Sequence, residues 1–251
     1  MTLTFIGYGK MAKAIIKGVY TKYKIEVVGR DDNKLKELKK EFSEIEIFNI
    51  DGFDIENRNI ILAVKPFAVE EVSQKLKGEA NLILSILAGT KIESLKEKFR
   101  SKSFIRVMPN IAASNSASMT TLTGDIEFKL QALDICNSFG NSLWLNSEKE
   151  LDIATAVAGS GPAYLAIVAE AIADGAVKCG LKREDASSIT KGLFSGFATL
   201  IDLEHPALIK DAVMSPGGTT AAGCFALENE GVRVAFMKAV EDAYKKALSI
   251  D

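Results

Sequence analysis

The chain has 251 residues, is 47% hydrophobic and 25% charged, and carries 31 basic and 33 acidic residues for a formal net charge of −2. That balance fits a soluble globular protein of one large or two ordinary domains, and without a basic excess it argues against a general nucleic-acid binder. No run of about 20 predominantly apolar residues stands out, and the segment 1–7 lacks the basic start and long apolar stretch of a secretory signal. No membrane span is therefore expected, and a cytoplasmic location is.

The first 145 residues alternate apolar runs with charged segments of helical period. The runs at 3–6, 25–28, 45–48, 60–64, 82–86 and 104–107 are short and several are rich in Val and Ile. Nearly continuous runs of this kind suit parallel strands buried on both faces. A last strand is expected at 142–145. Leu35, Leu38 and Phe42 recur at spacings of three and four, which puts them on one helical face. Strand–helix alternation predicts an open α/β sheet with right-handed crossovers.

The first run leads straight into Gly7-Tyr8-Gly9-Lys10-Met11-Ala12, and a helical pattern follows at once. Gly7 permits a tight turn, Gly9 lets the backbone approach a diphosphate, and Ala12 allows close packing of helix on strand. The free N–H groups and the positive dipole end of the helix then face the phosphates. An NAD site usually has an acidic residue after the second strand. Here Arg30 stands there, and its planar fork suits a 2′-phosphate. NADPH is the preferred cofactor and NADH the second reading. Asp31 and Asp32 instead suit the cap of the following helix. Ala63-Val64-Lys65-Pro66 and Ser85-Ile86-Leu87-Ala88-Gly89 follow two further strands, at the sheet end where such folds bind ligands.

After about residue 145 strand-like runs vanish. In the segment 162–178 the only charges are Glu170, Asp174 and Lys178, four apart on one narrow stripe. The remainder is apolar nearly all round and has to be buried. A second copy of the chain is the expected cover, with a compact monomeric bundle as the alternative. A last helix is expected at about 232–249, with Val232, Phe236, Ala239, Val240, Ala243 and Ala247 on one face. Between these lie Gly159-Ser160-Gly161-Pro162-Ala163-Tyr164 and Met214-Ser215-Pro216-Gly217-Gly218-Thr219-Thr220, the latter ahead of a helical stretch at 221–229. Consecutive glycines before a helix form a nest of N–H groups sized for a carboxylate or phosphate, and the threonine hydroxyls donate or accept beside it.

Cys136, Cys179 and Cys224 are far apart, which fits reduced thiols rather than a zinc site or disulfide framework. The single histidine, His205, rules out a multi-imidazole metal centre, and no metal is expected. A dinucleotide grip and a second anion grip, with no acid–base pair, suit hydride transfer, in which the cofactor carries the chemistry.

These segments, with Ala173-Asp174-Gly175-Ala176-Val177-Lys178-Cys179-Gly180-Leu181, occur in one order along the whole chain. The sequence resembles the pyrroline-5-carboxylate reductase family. The resemblance implies a Rossmann domain (doubly wound, mostly parallel sheet) at 1–148 and an all-α dimerisation and substrate domain at 149–251. It implies reduction of 1-pyrroline-5-carboxylate to L-proline and a homodimer that can associate further, as to a decamer. By resemblance Ile6, Gly7, Tyr8, Gly9, Lys10, Met11 and Arg30 contact the cofactor phosphates. Asn49, Ala63, Val64, Lys65, Pro66, Ile86, Leu87 and Ala88 line the ribose and nicotinamide. Ser215, Gly217, Gly218, Thr219 and Thr220 hold the substrate carboxylate, and Thr220 places its hydroxyl by the ring nitrogen. Ala212 departs from the polar residue common there. Arg106-Val107-Met108-Pro109-Asn110 fits the family's strand-to-loop connection, which places Asn110 near the nicotinamide. Two other readings are an imine or β-hydroxyacid reductase on the same scaffold and a non-enzymatic nucleotide sensor. Lys178 and Lys191 are the lysines of the helical half weighed for the former, and neither sits in its motif.

Overall fold

A computed structural model describes residues 1–249. In chain order its first half comprises β1 (Thr2–Ile6), α1 (Lys10–Val19), β2 (Lys24–Gly29), α2 (Asp32–Glu41), β3 (Glu46–Asn49), β4 (Asn59–Leu62), α3 (Val69–Lys75), β5 (Leu82–Ser85), α4 (Ile92–Lys98), β6 (Phe104–Met108), β7 (Ser118–Gly124), α5 (Lys129–Asn137) and β8 (Gly140–Trp144). The strands form one sheet in the order β3-β2-β1-β4-β5-β6-β7-β8. All pairs are parallel except β6 with β7. Alternate strand residues feed two cores. Leu3, Phe5, Val27 and Leu84 pack with Ile15 and Ile16 of α1. Ile6, Val28, Leu62 and Ile83 pack with Val72 of α3 and Leu95 of α4. Helices on both faces are what near-continuous apolar strands require. Leu35, Leu38 and Phe42 are buried as their spacing predicts.

Strand β7 has no counterpart in the expected strands. Its sequence, Ser-Met-Thr-Thr-Leu-Thr-Gly, holds no apolar run, yet Thr120, Thr121 and Thr123 are buried. Threonine fits a strand through its branched β-carbon rather than its hydropathy. A 3-10 turn at Ile111–Asn115 and a left-handed Ser116 reverse the chain ahead of it. That reversal explains the single antiparallel step.

After β8 comes α6 (Glu148–Ala154), which is tied to the sheet by a buried arginine. Arg106 of β6 is 1% exposed and donates to Glu148 Oε1 at 3.0 Å and Asp152 Oδ1 at 2.8 Å. Glu148 Oε1 also accepts from the Ile92 N–H at 3.0 Å. A buried cation needs such partners, because desolvation would otherwise cost several kcal/mol, of the order of 3–5. Met1–Ser160 and residues 242–249 belong to one compact unit, so α6 belongs with the sheet.

The second compact unit, Gly161–Glu241, contains α7 (Gly161–Lys178), α8 (Arg183–Ile201), α9 (Pro206–Val213), α10 (Thr219–Asn229) and the first part of α11 (Val232–Ala247). Among its described residues only Ala173, Ala186 and Thr190 are buried. Leu165, Ile167, Ile189, Leu193, Phe225 and Met237 are exposed, with Phe225 at 72%. Among the described residues these helices bury few side chains of their own and leave large apolar ones exposed. The helical stretch Glu148–Lys178 contains an 18-residue window of mean hydropathy 1.4, long and apolar enough to cross a membrane by length and composition. Its alanines and glycines spread the apolar character between the stripe of charges, so no single unbroken run betrays it in the sequence.

Candidate active site

The sheet order reverses between β1 and β4. In open α/β sheets ligands bind at such a switch point, beyond the carboxyl ends of the strands. The expected cofactor residues of the first unit fall on these loops. The Ile6 carbonyl accepts from the Ala63 N–H at 2.9 Å, and the Gly7 N–H donates to the Val28 carbonyl at 2.9 Å, so the loops after β1, β2 and β4 meet. Gly7 has φ +105°, and a Cβ there would lie 2.7 Å from the Ala63 carbonyl oxygen and 3.1 Å from Val64 Cγ1. Only glycine fits this turn. The Tyr8 ring lies against Gly29, where a Cβ would come within 2.1 Å of it.

Gly9 is the residue before α1. It is exposed, has ordinary extended dihedrals, and a Cβ there would meet nothing within 4 Å. No side chain caps α1. The first N–H groups of the helix, from Lys10 and Met11 onward, are therefore left for an outside acceptor. Open space above Gly9 and an uncapped helix end are the cradle a diphosphate requires, so the residues present fit a dinucleotide.

Arg30 is exposed, with Nη1 3.5 Å from Glu71 Oε2 on α3. Asp31 accepts from the Asn33 and Lys34 N–H groups at 3.1 and 3.2 Å, so it caps α2. Asn49 ends β3; its Nδ2 donates to Asp32 Oδ1 at 3.0 Å while its Oδ1 accepts from the Asp51 N–H. Pro66 opens a 3-10 turn, Pro66–Ala68, that leads into α3. Lys65 and Pro66 are exposed, and Ile86 and Ala88 are half-buried on the loop after β5. Leu87 is buried in the core, which leaves only its backbone for a ligand. Both ends of the Asn110 amide are engaged: Nδ2 donates to the Ala158 carbonyl at 3.0 Å and Oδ1 accepts from the Ala112 N–H at 3.0 Å.

In the second unit Ser215–Gly218 forms a turn closed by the Gly218 N–H donating to the Ser215 carbonyl at 3.0 Å. Pro216 occupies its second position and Gly217, at φ +70°, its third, which is a type II turn. A Cβ on Gly218 would lie 2.5 Å from Ser215 Oγ. Gly218 precedes α10, whose N-terminus has no side-chain cap. The helix begins at Thr219, two residues before the expected start, so the Thr219 and Thr220 N–H groups belong to its first turn. Thr219 is exposed and Thr220 half-buried.

Burial pushes the Cys136 thiol far up, which makes it inert. His205 caps α9, its Nδ1 accepting from the Ala207 N–H at 3.2 Å. Among the described residues no three His, Cys, Asp or Glu side chains gather as a metal site.

Comparison with known proteins agrees with this arrangement. The family profile "Pyrroline-5-carboxylate reductase dimerisation" matches residues 148–250, and "NADP oxidoreductase coenzyme F420-dependent" matches residues 2–89. The pyrroline-5-carboxylate reductase of Helicobacter pylori is 33% identical over 97% of this chain and 98% of its own length. The crystal structure of 1-pyrroline-5-carboxylate reductase from Streptococcus pyogenes superposes with a TM-score of 0.88 at 32% identity, covering 100% of this chain and 99% of that one. The Plasmodium falciparum pyrroline carboxylate reductase, solved with NADP bound, gives 0.83 at 27% identity and 99% coverage of both chains. An eight-stranded sheet with the β1/β4 switch point, followed by helices that match the dimerisation profile, places this chain in the pyrroline-5-carboxylate reductase family.

Proposed function

We propose that the protein reduces 1-pyrroline-5-carboxylate to L-proline with NADPH as donor. NADH is the weaker alternative donor. The observation that carries this reading, within a chain of this family, is a pair of uncapped helix N-termini behind glycine turns. One is α1 behind Gly7 and Gly9; the other is α10 behind Gly217 and Gly218. Each offers several N–H groups to an anion, the first to a diphosphate and the second to a carboxylate. When bound, NADPH would supply a hydride from nicotinamide C4 to the C=N carbon and leave as NADP⁺, with the proton on the ring nitrogen coming from solvent.

The chain's own residues do the positioning. Ile6 to Met11 hold the diphosphate, and Arg30 meets the 2′-phosphate. Asn49, Ala63 to Pro66 and the backbone of Ile86 to Ala88 line the ribose and nicotinamide. Ser215 and Gly217 to Thr220 hold the substrate carboxylate, and the Thr220 hydroxyl orients the imine nitrogen. Alignment of two carbons at near-contact distance supplies much of the acceleration expected of such a site. In this reading residues 1–148 serve the cofactor and 149–251 serve substrate and dimerisation, although α6 and the chain to Ser160 group with the sheet.

The bare apolar faces of the second unit support a homodimer, and larger rings such as a decamer extend the same reading. They also account for the span-length helix without a membrane, and no nucleic-acid partner is part of the reading. Three free thiols fit a cytoplasmic setting. Two measurements test the proposal. NADPH absorbance should fall on adding the cyclic imine and stay constant with β-hydroxyacid-derived substrates; no oxidation with the imine rejects the activity. Sedimentation should show a dimer or larger assembly, and Leu193→Glu, on the apolar stripe of α8, should weaken it at least about 100-fold because a buried unpaired charge costs several kcal/mol.

A further inference from the structure

We infer that Phe67 is the stacking platform for the cofactor's adenine ring, a role that rests on the cofactor site proposed above. Phe67 is 86% exposed, among the most exposed large apolar side chains of the chain. Its backbone is restrained: Pro66 precedes it in the 3-10 turn, and Val69 and Val72 of the α3 that follows are buried in the core. The segment that carries it is bracketed at both ends by the site. At its start, Ala63 and Val64 hem in Gly7, where the diphosphate sits. At its end, Glu71 reaches Arg30, where the 2′-phosphate sits. Phe67 precedes Glu71 by four residues, across the junction between the 3-10 turn and the first turn of α3. The adenosine is the part of the dinucleotide that must lie between these two anchors. A bare aromatic face is suited to a purine because every base presents a π-face, and the Arg30 guanidinium can cover the other side. The ligand chemistry assigned to Phe67 is thus a purine ring.

The test compares binding of NADPH, of adenosine 2′,5′-bisphosphate and of reduced nicotinamide mononucleotide, which lacks the adenine, to the wild-type protein and to Phe67→Ala and Phe67→Trp. Stacking predicts that Phe67→Ala raises Kd for NADPH and for the bisphosphate about tenfold, with the mononucleotide unchanged. Phe67→Trp should restore wild-type affinity within about twofold, and the bisphosphate should quench its added indole fluorescence. Equal affinities of wild type and Phe67→Ala for NADPH overturn the inference, as does an equal loss for all three ligands, which would mean a displaced loop. Failure of the wild-type protein to bind any dinucleotide instead rejects the cofactor site itself.

Discussion

Gly7→Ala should lose both stability and cofactor, whereas Gly9→Ala should lose the cofactor alone. At Gly7 a methyl group meets two obstacles. The φ of +105° is a backbone conformation that side chains disfavour, and the Ala63 carbonyl oxygen lies 2.7 Å from the new carbon. Strain of about 1–2 kcal/mol adds to an overpacking cost of about 1–3 kcal/mol, so unfolding should become easier by about 2–5 kcal/mol. Relief requires the loops after β1 and β4 to move apart, and NADPH affinity should fall by about 100-fold or more, equivalent to about 2.7 kcal/mol. At Gly9 neither obstacle exists: φ is −68° and no atom lies within 4 Å of the added carbon. The protein should melt within about 2 °C of wild type, since unstrained surface substitutions usually change stability by less than about 0.5 kcal/mol. The methyl group nevertheless occupies the approach to the α1 amides, and NADPH should bind about 10- to 100-fold more weakly. Thermal melts and titration with NADPH check both. Wild-type affinity in Gly9→Ala would mean that no diphosphate comes to this helix end.

Thr220→Ala should lower kcat by about 100-fold while Kd for NADPH stays within about twofold, and Thr220→Ser should keep most of the turnover. The reasoning separates the two jobs of one residue. The backbone N–H of Thr220 lies in the first turn of an uncapped helix and stays in place in the variant, so the carboxylate grip survives and KM should rise only modestly. The hydroxyl is lost, and with it the group proposed to orient the imine nitrogen. Alanine is at least as good a helix former as threonine, so no loss of folding should obscure the result. A drop confined to KM would assign the hydroxyl to ground-state binding, and an unchanged kcat would remove Thr220 from the mechanism.

Legibility in the sequence followed local chemistry. The glycine turn after β1 and the Pro-Gly-Gly turn before α10 could be read from residue types because each needs a particular dihedral or a missing Cβ, and those demands are met within four or five neighbours. The strands of the parallel region were readable because burial on both faces forces unbroken Val and Ile runs. Strand β7 was not, since its threonines are buried by the fold of the chain and carry no apolar signal of their own. Arg106 gave no sign of burial, because its partners Glu148 and Asp152 stand more than forty residues away. Phe67 was equally silent; its meaning comes from the contact of Glu71 with Arg30, on a different strand's loop.

By itself, then, the order of residues determined the alternation of strands and helices, the two glycine turns ahead of helix N-termini and the family to which the chain is similar. The three-dimensional arrangement decided what distance in sequence hides. It set the antiparallel turn at β7 and the ion pairs that hold α6 to the sheet. It engaged both ends of the Asn110 amide and left the helices of the second unit bare. The physical reason is range: backbone dihedrals and hydrophobic period act over a few residues, whereas burial and pairing depend on whatever the whole chain brings alongside.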